Sequence, residues 1–296
     1  HLVTVSTAPR EWGVGSPGAC GDGGDGGDGG DGGIGGIGRD GGIGGIGRIG
    51  APCEQWFARI SGVAEAATQA GRASPDDATP EVFFSGSVHG NERVGPTATI
   101  EFARLLVDNY LRAAAPPSSS SSTADEPALS AWLRRLVDTR AIYIMPNANA
   151  LGYFQNVREE NGIDPNRDFP YGKDPAECMQ TTAARAINEI YRAHLFQLAI
   201  TFHGGMRAIA YEWGAPNAQE GGSDFSPDDG ALLPLGEAMV RAAGSDGYYP
   251  TGALNPLVYP VSGGMEDWAY AGSWDTSGYA KPCRPTTVFP GGGGGG

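Results

Sequence analysis

Three short apolar runs constrain the fold of this 296-residue chain more than any other feature. They occupy residues 82–88, 141–145 and 196–202, and the middle run, AIYIM, carries aliphatic or aromatic side chains throughout. Strands that are apolar on both faces are typical of sheets covered by helices on both sides, and such sheets are mostly parallel. The pattern therefore predicts an α/β fold with a mostly parallel mixed sheet.

Helical periodicity separates these runs, as an α/β fold requires. Pro96 is predicted to open a helix at its first position, where proline is favoured, and apolar residues recur at helical spacing from there to Leu111. A second helix is predicted over 182–194, where Thr181 or Thr182 can cap the N-terminus, and a third over 231–243. Alternating strands and helices place helices on both faces of the predicted sheet.

A glycine-rich tract interrupts the N-terminal part of this domain. Residues 1–6 (HLVTVS) and 54–61 (EQWFARIS) each predict a strand, the second with Trp56 on its apolar side. Residues 21–50 repeat glycine, first with aspartate and then with isoleucine. This repeat lacks the nonapeptide frame of a calcium-binding β-roll. We predict a disordered low-complexity insert.

The rest of the chain predicts one domain over 1–290. Residues 116–127 are rich in serine and proline and predict a surface loop, and residues 291–296 are all glycine and cannot pack. The chain starts at His1 instead of methionine. These features favour a sequence that is incomplete at both ends.

Charge and cysteine content limit the partners and the compartment. The net charge of −14 argues against nucleic acid or an anionic membrane surface as a partner, and there is no apolar run long enough to span a membrane. Four cysteines without a CxxC pair argue against a cysteine zinc site. Two disulfides, Cys20–Cys53 across the insert and Cys178–Cys283, fit an oxidising compartment and therefore secretion; the alternative is four unrelated thiols.

Two of the four histidines follow predicted strands directly. His89 comes just after the first apolar run, His203 just after the third, and Glu92 lies one tight turn beyond His89. In open α/β sheets, ligands bind at the carboxyl ends of the strands. Two histidines and a carboxylate form a ligand set of catalytic zinc, although a single HxxE also arises often by chance. His194 and His1 are interpreted as structural.

Three further segments carry polar or aromatic side chains suited to a cleft. Asn166 and Arg167 lie together in a predicted turn, Arg158 precedes them, and Tyr259 precedes a glycine pair. Arginine beside a metal suits a carboxylate ligand, which it binds through two parallel hydrogen bonds. A solvated loop and a packed tyrosine are the alternatives for these residues.

The order HGNE, NALGY, REENGIDPNRDF, FHGG and VYPVSGGMEDW resembles the zinc metallocarboxypeptidases of the A/B/N/E type, over roughly residues 80–275. The resemblance implies the fold of that family and one zinc ion on His89, Glu92 and His203. It also implies that Asn166 and Arg167 bind the substrate carboxylate. The remaining implied roles are an arginine for the scissile carbonyl at Arg158 and a mobile tyrosine at Tyr259.

The activity that this resemblance implies is removal of the C-terminal residue from peptides or proteins. The family places a catalytic glutamate well after the aspartate that matches Asp267, but no glutamate follows Glu266 in this sequence. Either the sequence stops before that segment, or the protein is a catalytically defective relative that binds zinc and peptides. A zinc amidase acting on cell-wall peptides shares the metal ligands, but Asn166 and Arg167 suit a free C-terminal carboxylate better.

Glu266 occupies the position that can face the specificity pocket in the family. A carboxylate buried at the base of a pocket is costly unless a cation pairs with it. The sequence therefore predicts a preference for a basic C-terminal residue. The alternative is that Glu266 turns outward and has no part in specificity.

Overall fold

The computed structural model describes residues 2–21, 51–63, 79–113, 126–216, 225–244, 248–275 and 278–283. The predicted insert after residue 21, the predicted loop up to residue 125 and the glycine tail lie outside the described residues. The seven strands of the described part are β1 (Val3–Thr7), β2 (Trp56–Ile60), β3 (Glu81–Gly86), β4 (Ala141–Met145), β5 (Phe196–Phe202), β6 (Ile209–Tyr211) and β7 (Thr251–Ala253). The α-helices there are α1 (Ala8–Trp12), α2 (Val94–Ala113), α3 (Glu126–Thr139), α4 (Ala150–Gln155), α5 (Thr182–Ala193), α6 (Asp229–Ala242), α7 (Leu254–Leu257) and α8 (Met265–Ala271).

Five strands form one mixed sheet in the order β1-β2-β4-β3-β5. The three apolar runs supply β4, β3 and β5, which are parallel to one another, while β1 and β2 extend the sheet in antiparallel pairing. This arrangement confirms the predicted α/β fold with a mainly parallel centre. β6 and β7 form a separate two-stranded parallel sheet.

Helices cover both faces of the five-stranded sheet. On one face Ile142 and Ile144 of β4 pack with Leu106 of α2 and Leu133 of α3. On the other face Tyr143 packs in a cluster that α5 completes. Every residue of β4 is buried, because neighbouring side chains of a strand point to opposite faces and both faces are covered.

Some helices begin where the sequence predicts, and others begin a few residues away. The side chain of Thr181 accepts a hydrogen bond from Ala184 N and caps α5, as expected of a threonine at that position. α2 begins at Val94, so Pro96 lies third in the helix and not first. α3 begins at Glu126, so the last two residues of the predicted 116–127 loop are helical.

Two predictions about strand faces were wrong. Trp56 is 55% exposed, whereas its neighbour Phe57 is buried and stacks on Trp12 with ring centroids 4.9 Å apart. Trp56 and Phe57 are adjacent aromatic residues, so the sequence does not show which of them faces the core. The stacking of Phe57 on Trp12 of α1 places Phe57 inside. The run 196–202 forms a strand but is not buried, because β5 lies at the edge of the described sheet and exposes alternate residues.

Both predicted disulfides are present. Cys20–Cys53 joins the two ends of the predicted insert, and Cys178–Cys283 joins the loop before α5 to the last described segment. Disulfides of this kind are usual in secreted proteins. Among the described residues, no helix is both long enough and apolar enough to cross a bilayer.

Candidate functional site

The sheet brings the two predicted metal-binding histidines to the same edge. β3 and β5 are parallel neighbours, with Gly86 opposite Phe202, so the segments that follow them leave the sheet side by side. His89 and Glu92 lie on a tight turn closed by a hydrogen bond from Glu92 N to His89 O (3.1 Å). A side chain at Gly90 would overlap the backbone of Gly152, so glycine is needed where this turn packs on α4.

His89, Glu92 and His203 converge within this turn and the loop after β5. Nδ1 of His89 lies 2.9 Å from Oε1 of Glu92, and Nδ1 of His203 lies 2.9 Å from Oε2 of the same carboxylate. One donor atom from each of the three residues lies within 4.8 Å of the other two. The described residues contain no other cluster of three such side chains at this spacing. The three side chains therefore form a compact candidate metal centre.

Asp164 and Arg158 contact this candidate centre. Oδ1 of Asp164 lies 3.0 Å from Nε2 of His89, the ring nitrogen that faces away from the cluster. Nη2 of Arg158 donates to Oδ2 of Asp164 (2.8 Å), and its Nη1 lies 3.4 Å from Oε1 of Glu92. A carboxylate on the second nitrogen fixes the tautomer and orientation of a metal-binding histidine. Asp164 was not singled out from the sequence.

The carboxylates of the site are held in their ionised form. Burial raises the pKa of Glu92, but hydrogen bonds from His203 and His89 outweigh burial and bring this pKa well below its usual range. Burial likewise raises the pKa of Asp164, and His89 and Arg158 together lower it well below its usual range. Ionised carboxylates beside histidine nitrogens are a suitable environment for a cation.

Asn166, Arg167 and Tyr259 lie together beside the candidate centre. Asn166 and Arg167 belong to a single 3₁₀ turn, Pro165–Arg167, which Asp164 caps by accepting a hydrogen bond from Asn166 N. The guanidinium carbon of Arg167 lies 5.9 Å from the ring centroid of Tyr259, which is half exposed. Asp164 thus connects this turn directly to His89.

Glu266 and Asp267 lie in the first turn of α8, beside the Pro165–Arg167 turn. The amide N–H of Met265 donates to Oδ1 of Asn166 (2.9 Å), and Asp267 accepts from the amides of Gly214 and Ala215. Oε1 of Glu266 is buried, and no hydrogen-bond donor reaches it within the described part of the chain. Burial, together with the charge of Asp267, raises the pKa of Glu266 to about 7.

Glu160 and Asp168 are two buried carboxylates that sequence analysis did not single out. Glu160 accepts hydrogen bonds from the amides of Thr182 and Ala183, and Asp168 accepts from Gln180 and Thr181. Glu160 therefore binds N–H groups in the first turn of α5 and Asp168 binds those just before it, where negative charge is favoured. They hold the loop that carries the 3₁₀ turn against α5.

Glu212, which follows β6, makes the stability of the fold depend on pH. Burial, and then the charges of Asp267 and Asp228, raise its pKa from 4.5 to about 7. The folded state is therefore expected to retain a proton that the unfolded chain loses, and the contribution of Glu212 to stability is expected to fall as pH rises from about 4.5 to 7. We expect the free energy of unfolding of the wild-type protein to decrease by an amount on the order of 1–2 kcal/mol across this pH range because of Glu212, and Glu212→Gln to remove this decrease.

Thermal denaturation of the wild-type protein and Glu212→Gln measures this difference, at pH values from about 5 to 7.5 in steps of roughly half a unit. Glu237→Gln is the matched control, because Glu237 is exposed on α6 and its Oε2 lies 3.8 Å from Arg241. Parallel stability curves for the wild-type protein and Glu212→Gln would contradict the assignment.

Comparisons with known proteins agree with this arrangement. A family model described as zinc carboxypeptidase matches residues 54–284. Carboxypeptidase SOL1 of Arabidopsis thaliana is 26% identical over an alignment of 202 residues that covers 66% of this chain and 38% of that protein. Carboxypeptidase M of Mus musculus is 26% identical over an alignment of 216 residues that covers 64% of this chain and 44% of that protein. The chain thus spans less than half the length of these two relatives.

Solved structures share the fold at low sequence identity. The carboxypeptidase A from Helicoverpa armigera has a TM-score of 0.54 at 18% identity, covering 90% of this chain and 56% of its own. Thrombin activatable fibrinolysis inhibitor has a TM-score of 0.53 at 15% identity, covering 74% of this chain and 55% of its own. These similarities support the mixed sheet and its helices.

Proposed function

Because the chain belongs to the zinc carboxypeptidase family, we propose that it is a zinc-dependent metallocarboxypeptidase that removes the C-terminal residue of peptides or proteins. The observation that carries this proposal is the convergence of His89, Glu92 and His203, with Asp164 hydrogen-bonded both to His89 and to Arg158. The Asn166–Arg167 turn lies beside them. Metal ligands and a carboxylate-binding arginine on adjacent loops suit a substrate that ends in a free carboxylate.

The donor set of the candidate centre fits one zinc ion. Two imidazole nitrogens and one carboxylate leave an open coordination position, as in catalytic zinc sites. When bound there, zinc polarises a carbonyl group and lowers the pKa of a coordinated water. Asp164 holds His89 with Nδ1 directed at Glu92, so the ligands are oriented by hydrogen bonds that the protein itself supplies.

The other residues of the site bind and orient the peptide. Arg167 and Asn166 bind the terminal carboxylate, which restricts cleavage to the last peptide bond. Arg158 donates hydrogen bonds to the oxygen that gains negative charge during attack on the scissile carbonyl. Tyr259, half exposed and beside Arg167, covers the bound C-terminal residue.

Glu266 is proposed to select a basic C-terminal residue. Its Oε1 is buried beside Gly214, where a side chain would overlap it, and lacks a hydrogen-bond donor among the described residues. A lysine or arginine side chain supplies a further positive charge and the donors that Oε1 lacks. We expect the zinc-loaded protein to bind a peptide ending in arginine about tenfold more tightly than one ending in phenylalanine.

Glu266→Gln tests this specificity by removing the charge while it keeps the shape. The arginine preference is expected to fall to nearly none, because a neutral amide gains little from a cation. Glu237→Gln, on the exposed face of α6, is expected to keep the preference. Tighter binding of the phenylalanine peptide by the wild-type protein would contradict the role of Glu266.

Peptide hydrolysis by this 296-residue chain is expected to be slow and zinc-dependent. The two carboxylates that contact the histidines, Glu92 and Asp164, are themselves bonded to histidine or arginine, and neither is free to take a proton from the attacking water. Mass spectrometry of peptide digests measures the outcome. We expect products shortened from the C-terminus one residue at a time, and none after chelation.

Internal cleavage, or cleavage that survives chelation, would contradict the proposed activity. Peptide binding without any cleavage would favour the second candidate function, a zinc- and peptide-binding relative that does not hydrolyse. Rapid turnover that is lost in Glu266→Gln would show that Glu266 is the general base. The two disulfides support a secreted protein, and peptide or protein C-termini are its proposed partners.

A further inference from the structure

An exposed arginine closely follows one of the candidate metal ligands in the sequence. Arg207 follows His203 by four residues, and its guanidinium carbon lies 4.4 Å from the ring centroid of Tyr248. Tyr248 in turn contacts Tyr249 edge to face, with ring centroids 4.7 Å apart. Met206 and Tyr248 are 55% and 45% exposed. We call Met206, Arg207, Tyr248 and Tyr249 the upstream patch.

The upstream patch is within reach of a peptide bound at the candidate centre. Four peptide units limit the distance between the Cα atoms of His203 and Arg207 to about 15 Å. An extended peptide advances about 3.3 Å per residue, so it covers that distance in four or five residues. A peptide whose last bond lies at His203 can therefore contact Arg207.

The small two-stranded sheet places the patch away from the pocket for the C-terminal residue. β6 and β7 are parallel, and Arg207 and Tyr248 both precede them, at the sheet's N-terminal end. Gly214, which contacts Glu266, follows β6 at the opposite end. The proposed pocket for the C-terminal residue of the peptide and the upstream patch thus lie at opposite ends of β6. The patch is therefore suited to peptide residues on the N-terminal side of the scissile bond.

The chemistry of the patch suits an acidic side chain. Within the described part of the chain no carboxylate pairs with Arg207, so no described carboxylate occupies its hydrogen-bond donors. Stacking on Tyr248 holds the guanidinium group in place, and a planar guanidinium binds a carboxylate through two hydrogen bonds. The net charge of −14 disfavours acidic residues of a peptide at most of the protein surface, and Arg207 provides a position where such a residue is favoured.

We infer that the upstream patch is a specificity subsite at which Arg207 binds an aspartate or glutamate side chain located a few residues before the scissile bond. The inference rests on the proposed function, since it needs a peptide bound by its C-terminus. Together with Glu266 it describes substrates with an acidic residue upstream of a basic C-terminus.

Binding of matched peptides to the zinc-loaded 296-residue chain tests this inference. The peptides end in arginine and carry glutamate, glutamine or lysine at one position, which is moved stepwise through the residues upstream of the C-terminus. Fluorescence anisotropy gives the dissociation constants. We expect glutamate to bind about five- to tenfold more tightly than lysine at one of these positions.

Variants of Arg207 identify the residue responsible. Arg207→Gln is expected to remove the difference between glutamate and lysine, and Arg207→Glu to reverse it, while the glutamine peptide keeps its affinity. Arg207→Lys keeps the charge and is expected to keep part of the preference. Arg241→Gln, an exposed arginine on α6, is the matched control and is expected to behave as the wild-type protein.

Equal binding of glutamate and lysine peptides at every position, or a preference that survives Arg207→Gln, would overturn the inference and leave the proposed function intact. If the glutamine peptide does not bind the zinc-loaded protein at all, the proposed function fails, and the inference fails with it. The two failures are therefore distinguishable in one set of titrations.

Discussion

Replacing His203 by alanine is expected to abolish stable zinc binding. The variant keeps only His89 and Glu92, and two protein ligands rarely hold a catalytic zinc ion. Loss of a residue that merely orients a ligand weakens metal binding by roughly 10–100-fold, so loss of the ligand itself is expected to cost about 10³-fold or more. The His203 side chain is 36% exposed, so its removal leaves the packed core unchanged.

Metal analysis after dialysis measures this effect directly. We expect one zinc per wild-type protein and close to none per His203→Ala. His194→Ala is the matched control, because His194 lies outside the cluster with its Nδ1 3.1 Å from Oε1 of Glu81, and this variant is expected to retain zinc. A full equivalent of zinc in His203→Ala would show that the metal is held elsewhere.

The central strands were predictable because both of their faces are buried. The run AIYIM of β4 is covered by α2 and α3 on one side and by α5 on the other, so its composition alone identified it. The run of β5 has a similar composition, but its exposed alternate residues depend on the strand's place at the edge of the described sheet. Local composition does not encode how many neighbours a strand has.

The surface of α2 shows the same limit. Ile100 and Leu111 fit the helical period that predicted this helix, yet they are 47% and 57% exposed, while Leu106 is fully buried. A period of 3.6 residues identifies a helix and an approximate apolar side. The width of the covered stripe depends on α3 and the sheet, which the sequence of α2 alone does not contain.

The clustering of His89, Glu92 and His203 was predictable from the sequence, but the residues that hold them in place were not. His89 and His203 each follow a strand and precede glycine, which is a local signal. Asp164 reaches His89 across 75 positions of sequence, and its aspartate-proline context also fits an ordinary turn. Only the fold shows that one carboxylate orients His89, binds Arg158 and caps the turn that carries Asn166.

Discrimination between a free and a blocked C-terminus is the second large effect that we expect. Arg167 and Asn166 are proposed to bind the terminal carboxylate through charge-assisted hydrogen bonds, each of which contributes roughly 1.5–3 kcal/mol. Amidation removes the charge and replaces an acceptor by a donor. A peptide amide should therefore bind about 10²–10³-fold more weakly than the same peptide acid.

Arg167→Ala should remove most of this discrimination, because the peptide acid loses the arginine that binds its carboxylate and with it most of its advantage over the amide. Arg241→Ala is the matched control, since Arg241 lies on the exposed side of α6 and its nearest charged partner is Glu237, 3.8 Å away. The control should retain the full preference for the acid. A preference that is unchanged in Arg167→Ala would place the carboxylate-binding group elsewhere.

Isothermal titration of the zinc-loaded 296-residue chain with one peptide ending in arginine and with its C-terminal amide tests the central claim most directly. The proposed function predicts that the acid binds at one equivalent, about 10²–10³-fold more tightly than the amide. It also predicts that chelation of zinc weakens binding of the acid. Equal affinities for acid and amide, unaffected by chelation, would contradict it.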